Sequence, residues 1–213
     1  MTGMLMMMPT TRRNGLAALG LLLGGCSVIP ERPNVPVRRY ALAPRRPQQR
    51  PRRANGPVLQ LRSLTGVPGL QDLGLRRARP DGGYDIAAYE EWLAPAADLA
   101  EPALRAWLLD SGLFSAVVGP GSRAESSLVL EAQLTVLEAA PFAGEARAGI
   151  AGLLLRDERL SMRVLSPLEV RSTAPLATDA APPAQAAAME AALGDVFGRL
   201  EAAISRAMSA RSR

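Results

Sequence analysis

The chain has 213 residues, 48% of them hydrophobic, which is enough material for one domain with a substantial core. It has one cysteine, no histidine and a formal net charge of +5, and all 25 of its basic side chains are arginines. These counts exclude an internal disulfide, a Ser-His-Asp triad, a Schiff-base lysine, an HExxH zinc site and a P-loop lysine. The adjacent acids Glu90-Glu91 and Asp157-Glu158 point apart on a strand or a helix, so neither pair makes a facing carboxylate dyad. We therefore predict a protein that is not an enzyme and that uses no metal and no cofactor.

Residues 1–25 are typical of a signal peptide. Arg12 and Arg13 precede an uncharged apolar run from Gly15 to Gly25, which is shorter than the roughly 20 residues that span a bilayer. The run ends in Leu23-Gly24-Gly25-Cys26, which resembles the lipobox of bacterial lipoproteins. The resemblance implies cleavage between Gly25 and Cys26 and acylation of Cys26. A buried structural cysteine is the alternative interpretation.

Acylation would make Cys26 a membrane anchor. Two or more acyl chains hold a protein stably in a leaflet, whereas one chain holds it only weakly. The next residue is Ser27. In Gram-negative lipoproteins an aspartate at this position usually signals retention in the inner membrane, so a serine there resembles the outer-membrane sorting pattern. We expect the mature protein to be anchored at the periplasmic face of the outer membrane.

Residues 26–55 are predicted to form a tether between the anchor and a domain at 56–213. The tether is rich in proline and carries eight arginines against one acid, and its composition favours an extended chain reaching on the order of 90 Å. Its arginines would contact anionic lipid headgroups or only keep the linker soluble. Within it, residues 37–44 alternate in a way that indicates a short edge strand. Residues 56–213 carry 15 arginines and 19 acids, which argues against a nucleic-acid partner.

The first half of the domain predicts strands followed by a helix. A strand spans residues 57–66, and a hairpin turns at Pro80-Asp81-Gly82-Gly83. Between Pro95 and Gly112 the leucine spacing predicts a helix whose regular part begins near Pro102. Trp92, at the strand-to-helix junction, is interpreted as a packing anchor. A short strand follows within residues 113–121.

The second half predicts three strands and a long helix. The strand at 126–140 places Val136 on its core face together with Leu128, Leu130, Ala132 and Leu134. Strands at 145–156 and 160–172 follow, and a helix spans residues 185–210. One face of that helix is apolar: Met189, Leu193, Val196, Phe197, Leu200, Ile204 and Met208. We predict that this face packs on the sheet, with a membrane-surface helix or an oligomer contact as alternatives. The element order predicts an α+β fold, with two helices on one face of a mixed or mainly antiparallel sheet.

Several segments together resemble the PqiC-like auxiliary lipoproteins of ABC-type transporters. They are Tyr40-Ala41-Leu42 soon after the lipobox, VLQLRSLTGVPGLQDLGLRR at 58–77, and YEEWLAP at 89–95. The resemblance covers roughly residues 26–210 and implies a fold similar to the N-terminal domain of TolB. It also implies a periplasmic accessory subunit of an MCE-type ABC lipid-transport system, which docks on an MCE-domain protein and supports outer-membrane integrity. Some relatives form rings, so the resemblance also implies that copies of this chain assemble as a homo-oligomer. An envelope assembly or secretion accessory lipoprotein with no role in lipid transport is the alternative.

Overall fold

The structure, a computed structural model, describes residues 35–158 and 161–210. The predicted signal peptide and lipobox, including Gly25 and Cys26, lie outside these residues. The folded part is a compact unit that begins at Pro36. Within the described ranges, neither helix combines the length and the apolar character that crossing a membrane requires.

One mixed sheet contains all eight described strands, as the sequence predicts. In chain order they are β1 (Arg38–Tyr40), β2 (Val58–Gly66), β3 (Gly74–Ala78), β4 (Tyr84–Trp92), β5 (Ala116–Val118), β6 (Leu128–Ala140), β7 (Glu145–Asp157) and β8 (Met162–Pro175). Strands β5, β2, β6, β7 and β8 lie side by side, and β3, β4 and β1 continue the sheet from the far end of β6. The β3·β4, β6·β7 and β7·β8 pairs are antiparallel, whereas β1·β4, β2·β5, β2·β6 and β3·β6 are parallel.

Two helices cover one face of this sheet. Helix α1 (Ala96–Leu109) packs on β2, β5 and β6, and α2 (Pro182–Ser209) packs on β6, β7 and β8. The helices meet where the rings of Trp107 and Phe197 make an edge-to-face contact with centroids 5.7 Å apart. The predicted apolar face of α2 is buried from Met189 to Ile204, and Met208 is partly buried. The prediction that this face packs on the sheet is confirmed.

The core face of β6 changes parity along the strand. Leu128 to Leu134 alternate into the core as predicted, but the register with β7 shifts between Leu134 and Val136. A bulge of one residue transfers every later side chain to the opposite face. Leu137 is therefore buried in the core, and the prediction that Val136 shares the core face is wrong.

Helix α1 begins six residues before the position that the sequence indicates. Pro102 lies inside the helix, although its missing N–H removes the hydrogen bond to the carbonyl four residues earlier. Ala96, Ala97 and Ala100 precede it and are buried against the core. We attribute the early start to this packing, which offsets one lost hydrogen bond.

The boundary between tether and domain also differs from the prediction. Residues 36–55 belong to the compact unit instead of a free linker. Strand β1 is the predicted edge strand, Leu42 is 1% exposed, and the Arg50 N–H donates to the Asp110 carbonyl at 2.9 Å. With these residues included, the unit from 36 to the C-terminus carries 22 arginines and 19 acids, so its sequence charge is +3 and the folded part is not acidic.

Replacing Gly152 by alanine should destabilise the protein more than replacing Gly82. A Cβ at Gly152 would overlap the Glu131 carbonyl oxygen and lie 2.9 Å from the Ala132 Cα, whereas Gly82 has a φ of +84° and nothing within 4 Å. We expect a loss of about 3 kcal/mol at Gly152 from overpacking and about 1 kcal/mol at Gly82 from backbone strain. Urea unfolding of both variants measures the difference, and equal losses would show that β6 and β7 separate easily.

Candidate functional site

Trp92, the last residue of β4, lies in the hydrophobic core. Its side chain is 3% exposed within the core, and its backbone N–H donates to the Leu73 carbonyl at 2.7 Å. Its partner in the β1·β4 register is Tyr40, which also packs against the core. Trp92 therefore ties the edge of the sheet to the start of α1. The other predicted site residues, Gly25 and Cys26, lie outside the described residues.

A segment that the sequence assigns to the tether crosses the surface between α1 and α2. We call residues 43–50 the strap. Pro44 is buried, and a Cβ added to Gly194 of α2 would lie 3.6 Å from the Pro44 Cβ. At the other end of the strap, a Cβ on Gly112 would lie 3.0 Å from the Arg50 Cβ. The strap thus lies in direct contact with the helical layer.

One carboxylate holds the middle of the strap. Glu201 of α2 accepts hydrogen bonds from Arg46 Nε at 3.0 Å and from Arg46 Nη2 at 3.1 Å. The same Glu201 Oε2 accepts a third bond, from Trp107 Nε1 of α1 at 3.0 Å. The Arg46 and Glu201 side chains are only 10% and 13% exposed. We call these three residues the clasp, because they join the strap, α1 and α2 through one charge-assisted network.

The clefts beside the strap are shallow and open. One, of about 400 Å³, is bordered by Arg46, Arg50, Trp107 and Glu201. Another, of about 470 Å³, lies on the far side of Pro47 and is bordered by Glu190 and Asp195. Among residues 35–158 and 161–210, no group of three or more carboxylate or thiol side chains is placed to hold a metal ion.

The shifted pKa values of the described residues have local structural causes. Burial raises the pKa of Tyr40, and its hydrogen bond to Glu90 adds to this. The pKa of Asp81 is lowered by its hydrogen bond from Arg79 and by the Gly83 N–H, which belong to the β3–β4 turn. The pKa of Arg147 is raised by its hydrogen bond to Glu145. These contacts lie between β1 and β4, within the β3–β4 turn and along β7, and none of them forms a nucleophile–base pair.

Apolar side chains are exposed on the sheet face that points away from the helices. One group, which we call the hairpin patch, lies on and beside β3, β4 and β1: Val37, Tyr84, Ile86, Tyr89 and Leu93, each 41–57% exposed. A second group, the β8 patch, lies at the opposite edge: Leu153, Met162 and Val164. From the sequence alone these residues look like any other hydrophobic residues of a strand. The pattern does not reveal which face of the sheet the helices cover, so the two patches could not be predicted.

Comparison with solved structures supports the fold. Protein XCC0632 from Xanthomonas campestris, described as a DUF330 protein, matches 84% of this chain and 99% of its own, with a TM-score of 0.66 and 18% identity. A crystal structure of an uncharacterised protein matches 82% and 99%, with a TM-score of 0.56 and 16% identity. No protein-family model and no curated protein matches the sequence. The two structures share an α+β architecture with this chain, and at these identities the likeness concerns the fold alone.

Replacing Glu201 by alanine should release the strap. The change leaves the guanidinium of Arg46 and the indole N–H of Trp107 without their acceptor, at a cost of about 3 kcal/mol. We expect trypsin to cleave the Arg45–Arg46 bond at least about tenfold faster, since local opening governs cleavage. Glu190→Ala, on the same helix, is the matched control and should leave the rate unchanged. Equal rates in both variants would show that the clasp does not hold the strap.

Tyr40 should ionise above the value near 10 of a free tyrosine. Because the folded-state pKa is raised, the stabilisation is complete below the unfolded pKa and is lost as pH rises through the folded pKa. We expect unfolding at alkaline pH to include this loss and Tyr40→Phe to remove it. The difference in phenolate absorbance between the wild type and Tyr40→Phe, followed against pH, measures the ionisation of Tyr40. A midpoint at or below pH 10 would contradict the environment assigned to Tyr40.

Proposed function

We propose that the protein is a non-catalytic, lipid-anchored accessory subunit of an MCE-type ABC lipid-transport system at the periplasmic face of the outer membrane. The observation that carries the proposal is a single cysteine, Cys26, at the end of a lipobox-like sequence, only ten residues before a compact domain begins at Pro36. A lone thiol at that place serves acylation and has no partner for a disulfide. The domain that follows then works beside a membrane.

The position of the domain boundary makes the anchor short. Ten steps of fully extended chain from Cys26 to Pro36 reach about 35 Å, compared with the 90 Å expected for a tether ending at residue 55. Strand β1, the buried Leu42 and the strap account for the difference, since they place residues 38–50 against the sheet and the helices. A body held this near to its anchor acts at the membrane surface and does not bridge the whole periplasm.

The chemistry of the domain supports a docking role. The sequence has neither histidine nor lysine, and the described residues with shifted pKa values are engaged in contacts within the sheet and the β3–β4 turn. The clefts that flank Pro47 of the strap are open to solvent. A rigid body with exposed apolar surfaces is suited to binding an MCE-domain protein and holding its exit near the membrane.

Replacing Cys26 by alanine should move the protein from the membrane to the soluble periplasmic fraction, because no acyl chain remains to hold it. Ser27→Asp is the matched control: it keeps the acylated cysteine, so the protein should stay in membranes but move to the inner membrane. Fractionation with immunoblotting measures both. A Cys26→Ala protein that remains in the membrane pellet would refute the lipid anchor.

The partner is tested separately by chemical cross-linking in cells and purification from detergent extracts. We expect an MCE-domain protein, with its permease and ATPase, to co-purify with the wild type in larger amounts than with Cys26→Ala. Co-purification of an envelope assembly or secretion complex without these components would favour the alternative function. A ring of copies alone would leave the transport role unsupported.

A further inference from the structure

The hairpin patch has no covering element among the described residues of this chain. Leu75 and Trp92 point into the core, so by strand alternation their neighbours in β3 and β4 point to the opposite face. Arg76 is one of these neighbours and pairs with Ile86, and its guanidinium lies 3.5 Å from the centroid of the Tyr84 ring. Tyr89 and Leu93 are at odd spacing from Trp92 and therefore point to this opposite face as well. Ile86 shares that face although its spacing from Trp92 is even, because the register shift between Gly74 and Arg76 sets five residue steps of β4 against two of β3 and reverses the alternation.

The patch lies where the chain leaves toward the predicted anchor. Strand β1 runs parallel to β4 with Arg38 beside Glu90, which places Val37 beside Tyr89. Val37 is therefore part of the patch, and Cys26 is eleven residues before it in the sequence. Extended chain of this length restricts Val37, the nearest residue of the patch, to within about 40 Å of an acylated Cys26.

From these two observations we propose that the hairpin patch docks on the surface of the membrane that holds Cys26. This inference rests on the proposed lipid anchor. A short linker gives the patch a high effective concentration at the bilayer, so a contact that is weak in free solution is populated. The membrane is the one partner that the anchor keeps within reach at all times.

The chemistry of the patch suits the interface between headgroups and acyl chains. Tyr84 and Tyr89 carry apolar rings with a polar tip, which is the character that favours tyrosine at that level of a bilayer. Ile86 and Leu93 add aliphatic surface. Exposed hydrophobic side chains are usually scattered over a protein surface, whereas here they are clustered on one face.

Most charges beside the patch are balanced: Arg38 and Arg39 pair with Glu90 and Glu91, and Arg79 pairs with Asp81 and Asp85. Arg76 over the Tyr84 ring donates to the Gly69 carbonyl and has no carboxylate partner among the described residues. One unpaired cation adds little attraction to anionic lipid, so the contact depends mainly on apolar insertion. Docking should occur on zwitterionic phosphatidylcholine vesicles as well as on vesicles that contain phosphatidylglycerol.

The test places a bimane fluorophore on Ile86→Cys in the full lipidated protein, reconstituted in phosphatidylcholine vesicles with doxyl-labelled lipid. A side chain inserted about 5–10 Å into the interface should be quenched at least about twofold more than a label on Ala187→Cys, on the exposed surface of α2. Tyr84→Ser/Tyr89→Ser should abolish the difference. Leu153→Ser/Val164→Ser in the β8 patch removes two exposed apolar side chains and should preserve it.

Equal quenching at positions 86 and 187 overturns the proposal. So does a label at position 86 that is shielded from aqueous iodide but not quenched by doxyl lipid, with shielding that rises with protein density, since a second copy then covers the patch. Circular dichroism shows whether the serine variants fold, and the labels alone decide the outcome if they do not. The lipid anchor is tested independently of docking. If bimane labels Cys26 in the unsubstituted protein, or if the protein does not pellet with the vesicles, the proposed function is contradicted and not the docking of the patch.

Discussion

The ion pair between Arg46 and Glu201 holds the middle of the strap on the helical layer. It acts together with the pairing of β1 with β4 and the burial of Leu42, which bring the preceding residues into the domain. These contacts place residues 36–55 in the folded unit, where the sequence predicts a free tether up to residue 55. Under the proposed lipid anchor, fewer than ten residues would then separate Cys26 from the domain.

The chemistry of the clasp explains why arginine occupies position 46. Its Nε and Nη2 form two parallel hydrogen bonds to both oxygens of Glu201, a geometry that the single ammonium group of lysine cannot reproduce. Trp107 Nε1 uses another lone pair of the same carboxylate, so the nearly buried charge is well solvated by donors. The edge-to-face contact of Trp107 with Phe197 then connects the clasp to the core.

Elements with strong local signals could be predicted from the sequence. The β3–β4 turn follows from Pro80-Asp81-Gly82-Gly83, and the core face of α2 follows from its spacing between Met189 and Ile204. Two features depend on distant partners and could not. The bulge after Leu134 is set by the register with β7, and the clasp joins residues 155 positions apart, so no local pattern announces either.

The same limit applies to charge. Counting residues 56–213 alone gives an acidic body, whereas the folded unit from residue 36 is mildly basic, because residues 36–55 contribute seven arginines and no acid. Several of these arginines are paired with acids across the fold, as Arg38, Arg39 and Arg46 are. The charge of these three arginines is neutralised locally, whereas Arg45, Arg50, Arg52 and Arg53 form no ion pair among the described residues.

Burial and exposure divide the sheet into two functional faces. The face under α1 and α2 is filled by leucine and alanine side chains. These side chains form the close-packed core, so this face has only a structural role. The opposite face keeps apolar groups at its two edges, and the edge that includes β1 is the one nearer in sequence to Cys26. Under the proposed lipid anchor, a short linker would convert this asymmetry into orientation, because it would limit how far the β1 edge can move from the bilayer and leave the α2 surface and the β8 edge free for a protein partner.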